Sequence, residues 1–172
     1  MNVKHLNILL ADDDTDDCYF LKEALKELPL PMQLISVQDG EQLMQLLTKE
    51  TDEPPDVLFP DLNMPRKNGF ECLSEIRHNE KLKQLPVIIY STSFHNKIAE
   101  ILYKKGATYY ISKPSEIVKL KKTVQQIITH IAQGNISQPA KENFVITVER
   151  KNYKPFFWFN DFFTSDIYRD DF

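Results

Sequence analysis

The sequence predicts an α/β protein: a five-stranded parallel sheet, doubly wound, built from five consecutive strand–helix units. Three observations predict it. Apolar runs of strand length alternate with segments of helical period over the first ~130 residues, the order expected of a parallel sheet with helices on both faces. The first run, "LNILLA", is continuous rather than alternating, as in strands buried on both sides. Polar residues gather just after the strand runs, on the rim where sites lie in such sheets.

The first strand is "LNILLA", residues 6–11, ended by acids. Leu21, Ala24, Leu25 and Leu28 repeat at helical spacing, and Pro29 stops that helix. "MQLISV" is the second strand, and Leu43, Met44 and Leu47 mark the second helix. "DVLF" is the third strand, and Phe70, Leu73 and Ile76 mark the third helix. "PVIIYS" is the clearest strand, followed by a helix carrying Ile98, Ile101 and Leu102 and closed by Gly106 in a left-handed cap. "TYYIS" is the fifth strand. Ile117, Leu120, Val124, Ile127, Ile128 and Ile131 form a long helical stripe that ends near Gly134.

Residues 1–133 are therefore expected to form one domain, with residues 134–172 as an extension. The extension opens on the polar linker "QGNISQPAKEN", continues in "FVITVER", which alternates like a strand, and ends in an aromatic segment. Residues 141–172 hold seven of the eleven Phe and the single Trp, so this segment is expected to bind something. It either folds back on its own domain or pairs with a second copy in a homodimer. It lacks the paired helices and basic face of a DNA-binding unit.

Composition narrows the class. The chain is 42% hydrophobic and 27% charged, ordinary for a globular protein, and its net charge of −4 argues against nucleic acid as a partner. No apolar run approaches the roughly 20 residues of a membrane span, and the N-terminus does not read as a signal peptide, so the expected location is the cytoplasm. Cys18 and Cys72 lie in helical segments without metal or redox spacing and are expected to be free thiols. His5, His78, His95 and His130 show no ligand spacing either.

The strand ends deliver the chemistry. The first brings Asp12, Asp13 and Asp14, the third Asp61, the fourth Ser91 and Thr92, and the fifth Lys113 followed by Pro114. Several carboxylates cannot stay ionised together in one small pocket without a counter-charge. A hard divalent cation such as Mg²⁺ would supply it through oxygen ligands. A lysine and a hydroxyl beside that cation make a receptacle for a phosphoryl group. Direct abutment on the strand favours Asp12 and Asp13 over Asp13 and Asp14 as the metal pair. Asp14, Asp16 and Asp17 are expected to serve the first helix as a cap and first-turn acids.

The motifs "ILLADDD", "DLNMPRKNG", "PVIIYSTS" and "GATYYISKP", with 30 positions from Asp61 to Ser91 and 22 from Ser91 to Lys113, resemble the CheY-like receiver domains of two-component response regulators. The resemblance covers about residues 3 to 132. It implies the flavodoxin-like strand order 2-1-3-4-5. It implies Asp61 as phosphoacceptor, with Mg²⁺ held by Asp13, Asp61 and the backbone carbonyl of Asn63, and Asp12 helping. Ser91 and Lys113 would contact the phosphoryl oxygens, and Tyr110 would take an aromatic switch position. The donor would be a histidine kinase or a histidine phosphotransfer protein, and the output would pass to a protein partner. Such a chain is a signalling phosphoprotein rather than an enzyme. A module that keeps the fold but signals without phosphorylation is the alternative. An aspartyl-nucleophile hydrolase would want an acid two residues after Asp61, where this chain has Asn63.

Pro60 departs from the pattern. A proline in a central strand removes one ladder donor. The ladder is expected to lose its amide bond at position 60 without displacing Asp61.

Overall fold

The computed structural model describes residues 5–49, 53–114 and 116–146. Its elements run β1 Leu6–Ala11, α1 Thr15–Lys26, β2 Met32–Val37, α2 Gly40–Leu47, β3 Val57–Pro60 and α3 Gly69–His78. They continue with β4 Ile88–Ser91, α4 Asn96–Lys104, β5 Tyr109–Ser112, α5 Ile117–Ala132, a 3₁₀ turn Lys141–Asn143 and β6 Val145–Ile146. The five strand–helix units stand where the apolar runs placed them.

Side-chain alternation along the buried strands divides the core into two layers. Leu6, Ile8 and Leu10 of β1, Val57 and Phe59 of β3, and Tyr109 and Ile111 of β5 point to one side, against Leu21, Leu25, Leu120, Val124 and Ile128 of α1 and α5. Leu9, Leu58, Ile89 and Tyr110 point to the other, against Leu43 of α2, Leu73 and Ile76 of α3 and Leu102 of α4. The sheet is thus doubly wound. Ile101 is the exception among the expected core positions: it is exposed, and Ile98 and Leu102 carry the apolar face of α4 instead.

The helices begin on side-chain caps. Asp14 accepts from the amides of Asp16 and Asp17, Asp39 accepts from that of Gln42, and Asn68 forms a reciprocal capping box with Glu71. Gly106 closes α4 at φ 86°, the left-handed conformation its position required.

All pairings are parallel, in the order β2-β1-β3 and β4-β5-β6. The two halves meet at one bridge, Leu58 with Val87, where the Leu58 amide donates to Pro86 O at 2.9 Å. Read across that bridge the order is 2-1-3-4-5, with β6 added beyond β5.

Pro60 explains why the seam is so sparse. Amides along a parallel strand face its two neighbours in turn. Leu58 N faces β4, and Asp61 N faces β1, donating to Ala11 O at 2.8 Å. Position 60 has the parity of position 58, so its amide would face β4, and proline has none to give. The pairing with β4 stops there, while Pro60 stays in register with Ala11 on β1 and closes β3 as its last residue.

β6 is the opening of the extension. After α5 the chain turns at Gly134, with φ 84°, then returns along the edge of β5 and pairs Val145 with Tyr110 and Ile146 with Ile111. Of "FVITVER", Phe144, Val145 and Ile146 are described. The rest of that segment and the aromatic segment after it lie outside the described residues.

Candidate functional site

β1 and β3 are neighbours in the sheet, and their connections leave in opposite directions. Their carboxyl ends therefore form the switch point where a crevice opens. Asp12 and Asp13 follow β1 directly, and Asp61 follows β3. One carboxylate oxygen from each lies within 4.8 Å of the others. Asp12 and Asp61 are buried and Asp13 is exposed, so the group opens to solvent on one side.

Lys113 reaches into the same crevice from the end of β5. Its Nζ lies 2.7 Å from Asp12 Oδ2, 2.7 Å from Asp17 Oδ2 and 3.6 Å from Asp61 Oδ2, with its side chain 4% exposed. It also sits 5.2 Å from the centroid of the Tyr90 ring, within cation–π range. Burial alone would pull the ammonium down, but the Asp12 and Asp17 carboxylates outweigh it and raise it above the usual lysine range. Burial pushes the Asp12 carboxyl up, and the Lys113 contact only partly restores it.

The oxygens are unequally served. Asp61 Oδ1 accepts from the Leu62 amide at 2.7 Å, and Asp12 Oδ1 from the Asp14 amide at 3.0 Å. Asp12 Oδ2 is close to Lys113 but outside hydrogen-bond geometry, and it has no hydrogen-bond partner among the described residues. A buried anionic oxygen left this way is costly. It is the donor a hard cation would take, so this carboxylate set fits a divalent metal of the oxygen-seeking kind.

Ser91 ends β4 fully buried, and its Oγ is 3.5 Å from the Ser93 amide. Asn63, on the loop after Asp61, donates through Nδ2 to Ser93 Oγ at 2.9 Å, tying that loop to the one after β4. Tyr110 is buried in β5 and donates its hydroxyl to Ser93 O at 2.6 Å. Its ring meets Phe94 edge-on at 5.7 Å. Burial, then the Asp61 charge, pushes the Tyr110 phenol up to about 12.

The structure therefore brings Asp12, Asp13, Asp61 and Lys113 into one cluster and sets Ser91, Ser93 and Tyr110 beside it as a hydrogen-bonded relay. Thr92 is exposed, and none of the four histidines enters the acidic group. Asp14 caps α1 as expected. Asp17 does not act only as a first-turn acid: its carboxylate reaches the site and binds Lys113. Side chains in a helix lean toward its N-terminus, so a first-turn acid of α1 can lean toward the rim, but which of Asp16 and Asp17 does so is set by the rotation of the helix.

The loop between β3 and α3 is pressed close beneath Asp61. A Cβ on Gly69 would lie 2.4 Å from the Asp61 carbonyl oxygen, a backbone contact with little room to give. Gly69→Ala is expected to cost about 1–3 kcal/mol in urea denaturation, as overpacking does, and to weaken divalent-cation binding in calorimetric titration.

The comparisons with known proteins agree with this geometry. Residues 8–125 match the family model of the response regulator receiver domain. The chain is 33% identical over 124 residues to "Response regulator Rcp1" of Synechocystis sp., covering 70% of this chain and 84% of that protein. It is 28% identical to the "Probable chemotaxis protein CheY" of Rhizobium etli, covering 71% and 92%. Among solved structures, the Mn²⁺-bound form of Rcp1 aligns with a TM-score of 0.69 and 31% identity over 78% of this chain and 99% of that one. The phosphorylated cyanobacterial phytochrome response regulator RcpA aligns at 0.70 and 30%, over 76% and 96%. Topology, acidic crevice and sequence converge, and the chain belongs to the response regulator receiver family of two-component signalling.

Proposed function

We propose that Asp61 accepts a phosphoryl group from a phosphohistidine of a histidine kinase or histidine phosphotransfer protein, and that the phosphorylated chain switches its protein contacts. The observation that carries this reading is the convergence of Asp12, Asp13 and Asp61 with Lys113 at the ends of three strands.

An Asp61 carboxylate oxygen attacks phosphorus in line. The new O–P bond forms as the N–P bond to the donor imidazole breaks, and that nitrogen keeps the electron pair and takes a proton from solvent. The Lys113 ammonium and the Ser91 hydroxyl donate to the phosphoryl oxygens. Asp12, Asp13 and Asp61, with the Asn63 backbone carbonyl, are the residues that would hold Mg²⁺, which supplies positive charge against those oxygens. Hydrolysis of the acyl phosphate returns Asp61 to its carboxylate and resets the switch.

The output follows from the relay. Drawing the Ser91 hydroxyl onto the phosphoryl group takes from the Ser93 amide its partner on Ser91, and Ser93 O is the acceptor of the Tyr110 hydroxyl. Phosphorylation would thereby favour a conformer with Tyr110 released, a population shift rather than a new fold. Because RcpA is a phytochrome response regulator, a phytochrome is one input to try. The recipient of the signal is a protein, and a second copy of this chain paired through the extension is one form of it. Light scattering on the full chain and on residues 1–146 tests that form: equal monomeric masses would remove it.

The test of the function is to incubate the chain with Mg²⁺ and a small phosphodonor and to weigh it intact. The expected result is a gain of one phosphate that Asp61→Asn and chelation both abolish. No gain, with protein contacts intact, would instead favour a receiver fold that signals without phosphorylation.

A further inference from the structure

We propose that Asp17 is a positioning residue for phosphoryl transfer: it anchors the Lys113 ammonium to α1, so that the lysine's remaining donors face Asp61. The proposal rests on the phosphoacceptor reading of Asp61 and adds to it a residue outside the acid–serine–lysine set.

The hydrogen-bond count carries the inference. An ammonium has three donors and sits on four rotatable bonds, so its direction is poorly fixed unless something holds it. Lys113 Nζ donates to Asp17 Oδ2 at 2.7 Å in good geometry, stands 2.7 Å from Asp12 Oδ2 and is 3.6 Å from Asp61 Oδ2. The Tyr90 ring closes another side. Asp17 is thus the one carboxylate of the three that makes a well-formed hydrogen bond to the ammonium.

Two other duties for Asp17 do not fit. The free amides at the start of α1 are served by Asp14, whose side chain accepts from both Asp16 N and Asp17 N. The metal-capable group among the described residues consists of Asp12, Asp13 and Asp61, without Asp17. Its carboxylate instead turns to a lysine 96 positions away.

The mount is rigid. Leu21, Ala24 and Leu25 bury one face of α1 in the core layer shared with α5. With Asp12 committed to a cation, Asp17 remains as the anchor of Lys113, and a further N–H stays directed at the phosphoryl position. Losing the anchor would leave the lysine to find that direction anew in each encounter, and misplacement on this scale is felt strongly in rate.

The test compares Asp17→Ala, which removes the acceptor, with Asp17→Asn, which keeps an acceptor and removes the charge. Phosphorylation by the small donor is followed by intact mass at saturating Mg²⁺, and the Lys113 Nζ–H signal is followed by NMR in the unphosphorylated chain. Asp17→Ala should slow phosphorylation about tenfold and lose the protected ammonium signal, while Asp17→Asn stays within about threefold of wild type and retains it. Thermal melts of both variants separate these effects from a loss of folded protein. Wild-type rates in Asp17→Ala, or equal slowing in both variants, would overturn the proposal. If the wild-type chain takes no phosphoryl group, the reading of Asp61 fails and the role in transfer falls with it. The NMR signal then still decides, separately, whether Asp17 clamps Lys113.

Discussion

Replacing Lys113 with methionine is expected to destabilise the metal-free protein by about 3 kcal/mol at neutral pH, the scale of breaking a buried ion pair by removing one partner. Methionine keeps the length and the apolar stem. What it removes is the cation that, among the described residues, lies between Asp12, Asp17 and Asp61. Burial already pushes the Asp12 carboxyl up, and the lysine offsets part of that rise. Without the lysine, folded Asp12 should take up a proton at a pH where the unfolded chain does not.

The sign of the pH dependence follows. The folded variant binds more protons than its unfolded state, so its stability rises as pH falls from neutral toward the ordinary carboxylate range. The deficit against wild type should therefore shrink in acid. At neutral pH, saturating Mg²⁺ or Mn²⁺ should recover part of it by supplying the missing positive charge. Urea denaturation at two pH values, with and without metal, checks each of these statements. A deficit under 1 kcal/mol that neither acid nor metal changes would contradict this account of the crevice.

The second large effect lies in the extension. Phe144→Ala is expected to cost about 3–5 kcal/mol, as truncation of a core phenylalanine does. Phe144 is 1% exposed and belongs to the same core layer as Leu102, Ala107 and Tyr110. Its ring meets Tyr103 edge-on at 5.2 Å, and its carbonyl accepts from the Tyr110 amide at 3.0 Å. The segment before it is pinned as well: Gln138 Nε2 donates to the carbonyls of Tyr103 and Ala107, and the Tyr103 hydroxyl donates to Pro139 O. Chemical denaturation of the full chain measures the loss. A cost below 1 kcal/mol would mean that this stretch is only laid on the surface. The packing also sets where the chain can be shortened to probe oligomeric state: at residue 146, not at the end of α5 near residue 134. A cut near residue 134 would strip Phe144 and Ile146 from the core along with whatever follows them.

Much of this was legible in the sequence, because the signals were strong and local. Continuous apolar runs such as those of β1 and β4 admit few readings once helices stand between them. The polar residues at their ends fall on one rim by topology alone, which is why Asp12, Asp13, Asp61 and Lys113 could be placed together from distant segments. Pro60 was legible as a lost donor, but not as the cause of the sparse β3–β4 seam. That required knowing which neighbour the amide at position 60 would face.

Three features were not legible, for physical reasons. The reach of Asp17 depends on how α1 is rotated against β5, which packing with α5 sets and local propensity does not. The burial of Phe144 depends on where the start of "FVITVER" docks, and its alternation defines two faces without saying which of them meets a core. The exposure of Ile101 depends on which side of α4 meets the sheet, and Ile98, Ile101 and Leu102 are consistent with either of two neighbouring faces.

The central claim is that the phosphoryl group sits on Asp61, and borohydride trapping addresses it most directly. Reduction of the acyl phosphate converts the modified aspartate to homoserine, and peptide mass mapping then locates it. The account predicts homoserine at position 61 alone, dependent on Mg²⁺ and on the phosphodonor. Homoserine at position 12, 13 or 17, or none in protein that has gained a phosphate, would contradict it.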